Sequence, residues 1–456
     1  MTRGSITVDQ NMRSEHQRRS YQRRQRPVNS QWPRAYVAFV AVIGASLFAA
    51  TIAARGEDWP RFRGPTGQGL TNETALPIVW GGKENKNVVW KSPLPPTAAK
   101  GRADNNQSSP IVWGDAVYVT TVYWPAGKPQ SEFPEQHITC YKLSDGVQQW
   151  DKMVPPGPWL LTDLRGGYGA PTPTTDGRRL YVAFGSAVIA ALDMQGNPLW
   201  HHDLADYKSI DVAFASSPIL YRDLVLLLVD ENGGASTLTA YDAASGEVRW
   251  EKKRPKVAFN HTTPVLVEIG GKPQLLIAAS NALQGVDPES GEVLWWANTP
   301  SDVPSPIYHD GLVYSDSGRG GPGIAVDPSG SGDITKTHVK WKIPNIPEGL
   351  SSPAAFGDGL YRLHSPGVLR SFEMANGHER FTARLDGVST QSSPIIAPDG
   401  TIFLASGGKS YVIKAGPKLD ILATNDLEDP SPASTAAAHG MLVIKGGRFL
   451  YGVGMK

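Results

Sequence analysis

Ser216-SPILYRDLVLLLVDENGGASTLTAYDAASGEVR-Trp250 is one unit of a repeat. It opens on Ser-Pro, passes through apolar runs broken by turn residues, and closes on Asp242, Gly246 and Trp250. The opening recurs at Pro110, Pro173, Pro264, Pro306, Pro353 and Pro394, and a degenerate copy starts near Ser434. From Pro110 to Pro394 the spacings are 63, 45, 46, 42, 47 and 41 residues, the range of a four-stranded propeller blade. Each copy reads strand, turn, strand, turn, strand and closing phrase.

The closing phrase is a second repeat: Tyr141-KLSDGVQQ-Trp150, Ala191-LDMQGNPL-Trp200, Ala240-YDAASGEVR-Trp250 and Gly285-VDPESGEVL-Trp295, with a longer version ending at Trp341 and a Phe version at Phe381. Asp145, Asp193, Asp242 and Asp287 are expected to cap tight turns, since a catalytic residue is needed once and not in every blade. Gly supplies the positive φ of the turn. Trp90, Trp150, Trp200, Trp250, Trp295, Trp341 and Phe381 are expected to fill the wedge between neighbouring sheets. One blade cannot bury that face alone, so the blades stack in a closed ring.

The last copy ends at Lys456 after about three strands, while an orphan phrase, Asn87-VVWKSPL, precedes the first. Val88 to Lys91 is therefore expected to supply the missing strand. The fold class is all-β, an eight-bladed propeller of four-stranded antiparallel blades, with seven blades as the alternative. One N-terminal transmembrane or signal helix precedes it.

Composition agrees with this reading. The chain has 456 residues, and 48 Gly with 37 Pro favour many short strands joined by turns. Charge is balanced, 44 Lys+Arg against 43 Asp+Glu, which excludes a strongly basic nucleic-acid binder. Cys140 is the only cysteine, so there is no internal disulfide and no Cys-based zinc cluster.

The ends differ in character. Residues 1–34 hold eight Arg against Asp9 and Glu15 and read as a basic cytoplasmic tail. Residues 35–54 (AYVAFVAVIGASLFAATIAA) carry no charge and are long enough to span a bilayer. The Arg excess keeps the tail inside and places the rest outside the cytoplasm. The segment is an uncleaved anchor or a cleaved signal, leaving the propeller on the periplasmic side of the cell membrane or free in the periplasm. Residues 55–86 read as linker and N-terminal extension, and residues 87–456 as the propeller.

The closing phrase resembles the A-x-D-x-x-x-G-x-x-W docking motif of the pyrroloquinoline-quinone repeat propellers, which include the quinoprotein alcohol dehydrogenases and the BamB-type outer-membrane assembly factors. Asp58-WPRFRGP and Gly332-DITKTHVKW look like those of exported propellers from planctomycete-type bacteria. For a dehydrogenase the resemblance implies an adjacent Cys-Cys disulfide, a calcium held by Glu and Asn, a catalytic Asp and a Trp under the quinone. Cys140 alone cannot form that disulfide. For a BamB-type factor it implies binding to envelope proteins, although those factors are lipoproteins and no Cys follows the apolar segment here.

The residues before each Ser/Thr-Pro are expected to ring the central channel as a polar funnel: Asn105, Asn106, Gln107, Tyr168, Asp211, Asn260, His261, Asp302, Glu348 and Gln391. The segment Asp327-PSGSG-Asp333 alternates oxygens as a calcium loop does, but His338 stands where such a loop has its bidentate Glu, so it is read as a solvated insertion. No metal site, catalytic set or cofactor is expected. The function expected is a binding or scaffold module for envelope or periplasmic proteins, a monomeric propeller attached to the membrane through its N-terminal helix, with no nucleic-acid partner. The alternatives are a quinoprotein-type dehydrogenase using pyrroloquinoline quinone with calcium, and a glycan-active enzyme using the funnel.

Overall fold

The computed structural model describes residues 56–95, 103–129, 131–161, 163–164, 166–204, 209–210, 212–231, 236–254, 260–279 and 281–456. The basic tail, the apolar segment 35–54 and Asp211 lie outside them. Blades 1 to 7 occupy residues 111–153, 174–203, 219–253, 265–298, 307–348, 354–384 and 395–426. Blade 8 takes three strands from 436–454 and its outer strand from Val88–Pro93, which pairs antiparallel with Phe449–Gly454. Eight blades close the ring at the seam that the orphan phrase predicted.

Strand composition follows position in the blade. The second strand of blade 3, Leu224–Val229, is buried at all six residues because both its faces meet neighbouring blades. The outer strand, Val248–Lys253, alternates exposed and half-buried residues. Each docking aromatic lies across the ladder from a small residue of its own blade: Trp150 from Cys140, Trp200 from Ala191, Trp250 from Ala240, Trp295 from Gly285, Trp341 from Ala325, Phe381 from Ser371 and Trp90 from Gly452. A flat ring needs that gap. This explains Cys140: it is buried at the small-residue position beside Trp150, and burial pushes its thiol up to about 12.

From its own blade the indole reaches the closing turn of the next. Trp200 abuts Gly246, whose φ is 77°, and a Cβ there would stand 2.6 Å from the indole. The same relation links Trp90 to Gly146, Trp150 to Gly196, Trp250 to Gly291 and Trp341 to Gly377. The turn aspartates are caps: Asp145 accepts the Val147 N–H, Asp193 that of Gln195, Asp242 that of Ala244 and Asp287 that of Glu289, at 2.7 to 2.9 Å.

Trp295 departs from the pattern, its indole N–H going to Gln274 of its own blade at 2.8 Å. Blade 5 has a longer closing phrase, and its Asp327–Asp333 stretch is largely exposed, as expected of a solvated insertion, but also pairs with a neighbouring blade. Gly332–Asp333 pairs in parallel with Trp295 and Trp296, adding a fifth strand to the outer edge of blade 4. Asp327 is held by Lys340 at 3.1 Å and by the Ser329 N–H. Its hydrogen bonds to Ser329, with Lys340, lower its pKa to about 2.

Candidate functional site: a blind polar cup

The Ser/Thr before each proline has a structural role that spans the whole ring. The backbone N–H of Ser109 donates to the hydroxyl of Thr172, Thr172 to Ser217, Ser217 to Thr263, Thr263 to Ser305, Ser305 to Ser352, Ser352 to Ser393 and Ser393 to Ser434, at 2.9 to 3.3 Å. Each bond crosses from one blade to the next. Among the described residues the belt is open at the seam, where the buried Ser109 hydroxyl has no partner.

Residues 56–73 run beneath this belt and touch the start of most inner strands. Trp59 bridges Val112 of blade 1, the Pro60 carbonyl accepts the Thr175 N–H of blade 2, and the Gln68 side chain accepts the Tyr308 N–H of blade 5 at 2.6 Å. Arg63 reaches the Pro353 carbonyl, Leu70 bridges Ile396 of blade 7, and Glu73 accepts the N–H groups of His439 and Gly440 in blade 8. At Gly69, φ 78°, the chain lies against the Pro394 carbonyl, where no side chain fits. The strap closes the lower end of the channel with Phe62 facing the interior, leaving a cup of about 370 Å³.

Of the funnel residues expected from sequence, His261, Glu348 and Gln391 line the cup, together with Asn105 and Gln107. Asp211 lies outside the described residues, and Asn106, Tyr168, Asn260 and Asp302 do not line the cup, each for a physical reason. Asn106 faces an adjoining cavity and fastens Val122, accepting its N–H at 2.7 Å and donating to its carbonyl at 2.8 Å. Asn260 is buried and accepts the Thr262 N–H while donating to Asp230. Tyr168 is buried and its hydroxyl accepts the Leu161 N–H. Asp302 pairs with Arg319, itself a lining residue, at 2.9 Å. Burial raises the Asp302 pKa to about 6 despite Arg319, and nearby Asp316 adds to the rise.

The sequence reading missed the belt hydroxyls, Phe62 and Arg319. All belt positions from Thr172 to Ser434 line the cup. Lys445 was missed as well. Its ammonium sits in the seam of blades 8 and 1, donating to the Asn106, Ser108 and Thr120 carbonyls and to the Ser108 hydroxyl at 2.9 to 3.2 Å.

The lining does not fit pyrroloquinoline quinone with calcium. Phe62 is the aromatic among the described lining residues, while the tryptophans that resemble the family motif lie between blades. Cys140 is packed under Trp150. No group of three or more His, Cys, Asp or Glu with metal-binding geometry occurs among the described residues.

The fold is an eight-bladed antiparallel β-propeller. Residues 134–321 match the family model described as outer membrane protein assembly factor BamB. Subunit 1 of the methanol dehydrogenase [cytochrome c] of Paracoccus denitrificans is 30% identical over 105 residues, 21% of this chain and 16% of that protein. The chain thus spans a small part of that relative's length. Among solved structures, BamB from Moraxella catarrhalis has 13% identity and a TM-score of 0.54, covering 78% of this chain and 99% of that one. A europium-containing methanol dehydrogenase has 10% identity and a TM-score of 0.50, covering 87% and 90%. At these identities the structural matches establish the fold.

Proposed function

We propose that the protein is an exported scaffold that binds envelope proteins through the outer edges of its blades, as the BamB resemblance implies, with residues 35–54 as its anchor or signal. The observation that carries this reading is the fifth strand on blade 4: Gly332–Asp333 pairs in parallel with Trp295 and Trp296, so an outer edge of this ring accepts an added strand. Other outer edges offer the same backbone groups with solvent-facing apolar side chains. Val89 lies on blade 8, Val147 and Met153 on or beside the outer strand of blade 1, Leu199 on blade 2, Val248 on blade 3, and Ile421 and Leu422 on blade 7, all exposed. Such edges invite pairing with a partner strand.

A photo-reactive amino acid placed at Leu199 or Val248 in cells tests the reading. Discrete adducts with envelope proteins are expected from these positions and not from Thr382 on the outer strand of blade 6. Absence of adducts from both blade 2 and blade 3 would sink the edge-binding account. A second reading, a quinoprotein dehydrogenase, draws support from the methanol dehydrogenase match, while no group of three or more His, Cys, Asp or Glu with metal-binding geometry among the described residues supports it.

A further inference from the structure

The belt hydroxyls differ from three hydroxyls beside them. Ser108, Thr262 and Ser392, one residue earlier in the repeat, donate to backbone carbonyls of Thr120, Pro304 and Ala405. The belt hydroxyls lining the cup only accept, each from the N–H of the preceding blade. Among the described residues none of these O–H groups has an acceptor, each belongs to a residue lining the cup, and accepting an N–H polarises the O–H into a better donor. Each oxygen also keeps a second lone pair. The cup therefore presents a ring of groups that both donate and accept.

We propose that the cup binds a neutral polyhydroxylated ligand, a sugar or the end of a glycan. Sugar hydroxyls donate and accept in turn and so match the belt, while Gln391 and Glu348 add an amide and a strong acceptor at the mouth. Phe62 on the strap lines the cup, where an aromatic ring can pack against the C–H side of a sugar ring. The volume of about 370 Å³ falls at the small end of ligand sites, about 300–1,000 Å³. An anion fits less well: Arg319 is already paired with Asp302 at 2.9 Å, and Glu348 would oppose the incoming charge. The inference concerns the channel and stands apart from the outer edges, so failure of the cross-linking test leaves it intact.

Saturation-transfer NMR on the purified full chain tests it, with glucose, galactose, N-acetylglucosamine, cellobiose and maltose as neutral probes and acetate and glucuronate as anionic ones. Saturable binding of at least one neutral sugar is expected, weakened about tenfold or more by Phe62→Ala and also weakened by Glu348→Gln, which preserves the shape of the cup. Thr382→Ala on the outer strand of blade 6 should leave it unchanged. The proposal is overturned by no neutral sugar binding, by binding of the anionic probes alone, or by binding that survives both cup substitutions.

Discussion

The indole N–H of Trp90 donates to the carbonyl of Leu143 at 2.6 Å. These residues belong to blades 8 and 1, so this bond sits on the seam that closes the ring. Trp341 makes the same bond to Met374 at 2.9 Å across blades 5 and 6, and the seam is therefore locked by the device used between ordinary blades. What the seam lacks is the belt bond, because Ser109 receives no N–H. Lys445 supplies other hydrogen bonds there.

Trp90→Ala should cost about 3–5 kcal/mol, the usual loss for a buried Trp. Denaturant unfolding measures it. Amide exchange should accelerate first in Phe449–Gly454, the strand that pairs with Val88–Pro93. Exchange rising equally in all blades would contradict the seam as the weak point.

The belt predicts a contrast between two serines of the same repeat position. Ser352→Ala strips the acceptor from the buried Ser305 N–H and should cost about 1–3 kcal/mol. Ser109→Ala removes a hydroxyl with no partner and should change stability by less than about 0.5 kcal/mol. Equal losses would refute the open belt.

At the closing turns, Asp242→Ala removes the acceptor of the Ala244 and Ser245 N–H groups and should cost about 1 kcal/mol. Gly246→Ala should cost more, about 1–3 kcal/mol, since its Cβ meets the Trp200 ring and φ is positive. Thermal melts of the two variants rank them. A smaller loss at Gly246 would remove the reason given for glycine in the motif.

His137 in blade 1 gives the pH dependence. Burial lowers its pKa, but the 2.6 Å contact with Asp151 and the nearby Glu135 outweigh burial and hold it above the ordinary 6.5. A raised histidine contributes stability that is fully present below pH 6.5 and is lost as pH rises through its folded value. Asp151 is lowered by His137 and Thr139 against its own burial, so its contribution is present above its ordinary 3.8 and is lost as pH falls through the folded value. The stability difference between wild type and His137→Gln should therefore shrink as pH rises from 6.5, and the two proteins should differ in their pH slopes. An unchanged slope in the variant would assign the effect elsewhere.

The fold was legible because its repeats are local. Asp, Gly and Trp sit within one phrase, and the orphan Trp90 phrase announced the closure. The belt was half legible: Ser/Thr before Pro was visible, but its acceptor role joins residues 41 to 63 positions apart, such as Ser393 with Ser434 and Ser109 with Thr172. The strap over Asp58–Leu70 has no periodicity, since it meets a different blade every few residues. Asn106 and Asn260 looked like loop residues facing a funnel, yet both stand four residues before a repeat proline. That shared position was the signal that they serve the backbone, as Asn106 does at Val122.

The most direct test of the central claim, a binding scaffold and not a quinone enzyme, is a calorimetric titration of the purified full chain with pyrroloquinoline quinone, with and without calcium. The account predicts no saturable binding under either condition, because the chain has one cysteine and no tryptophan is among the described residues lining the cup. Saturable, calcium-dependent binding would contradict it and place an oxidation reaction in the channel.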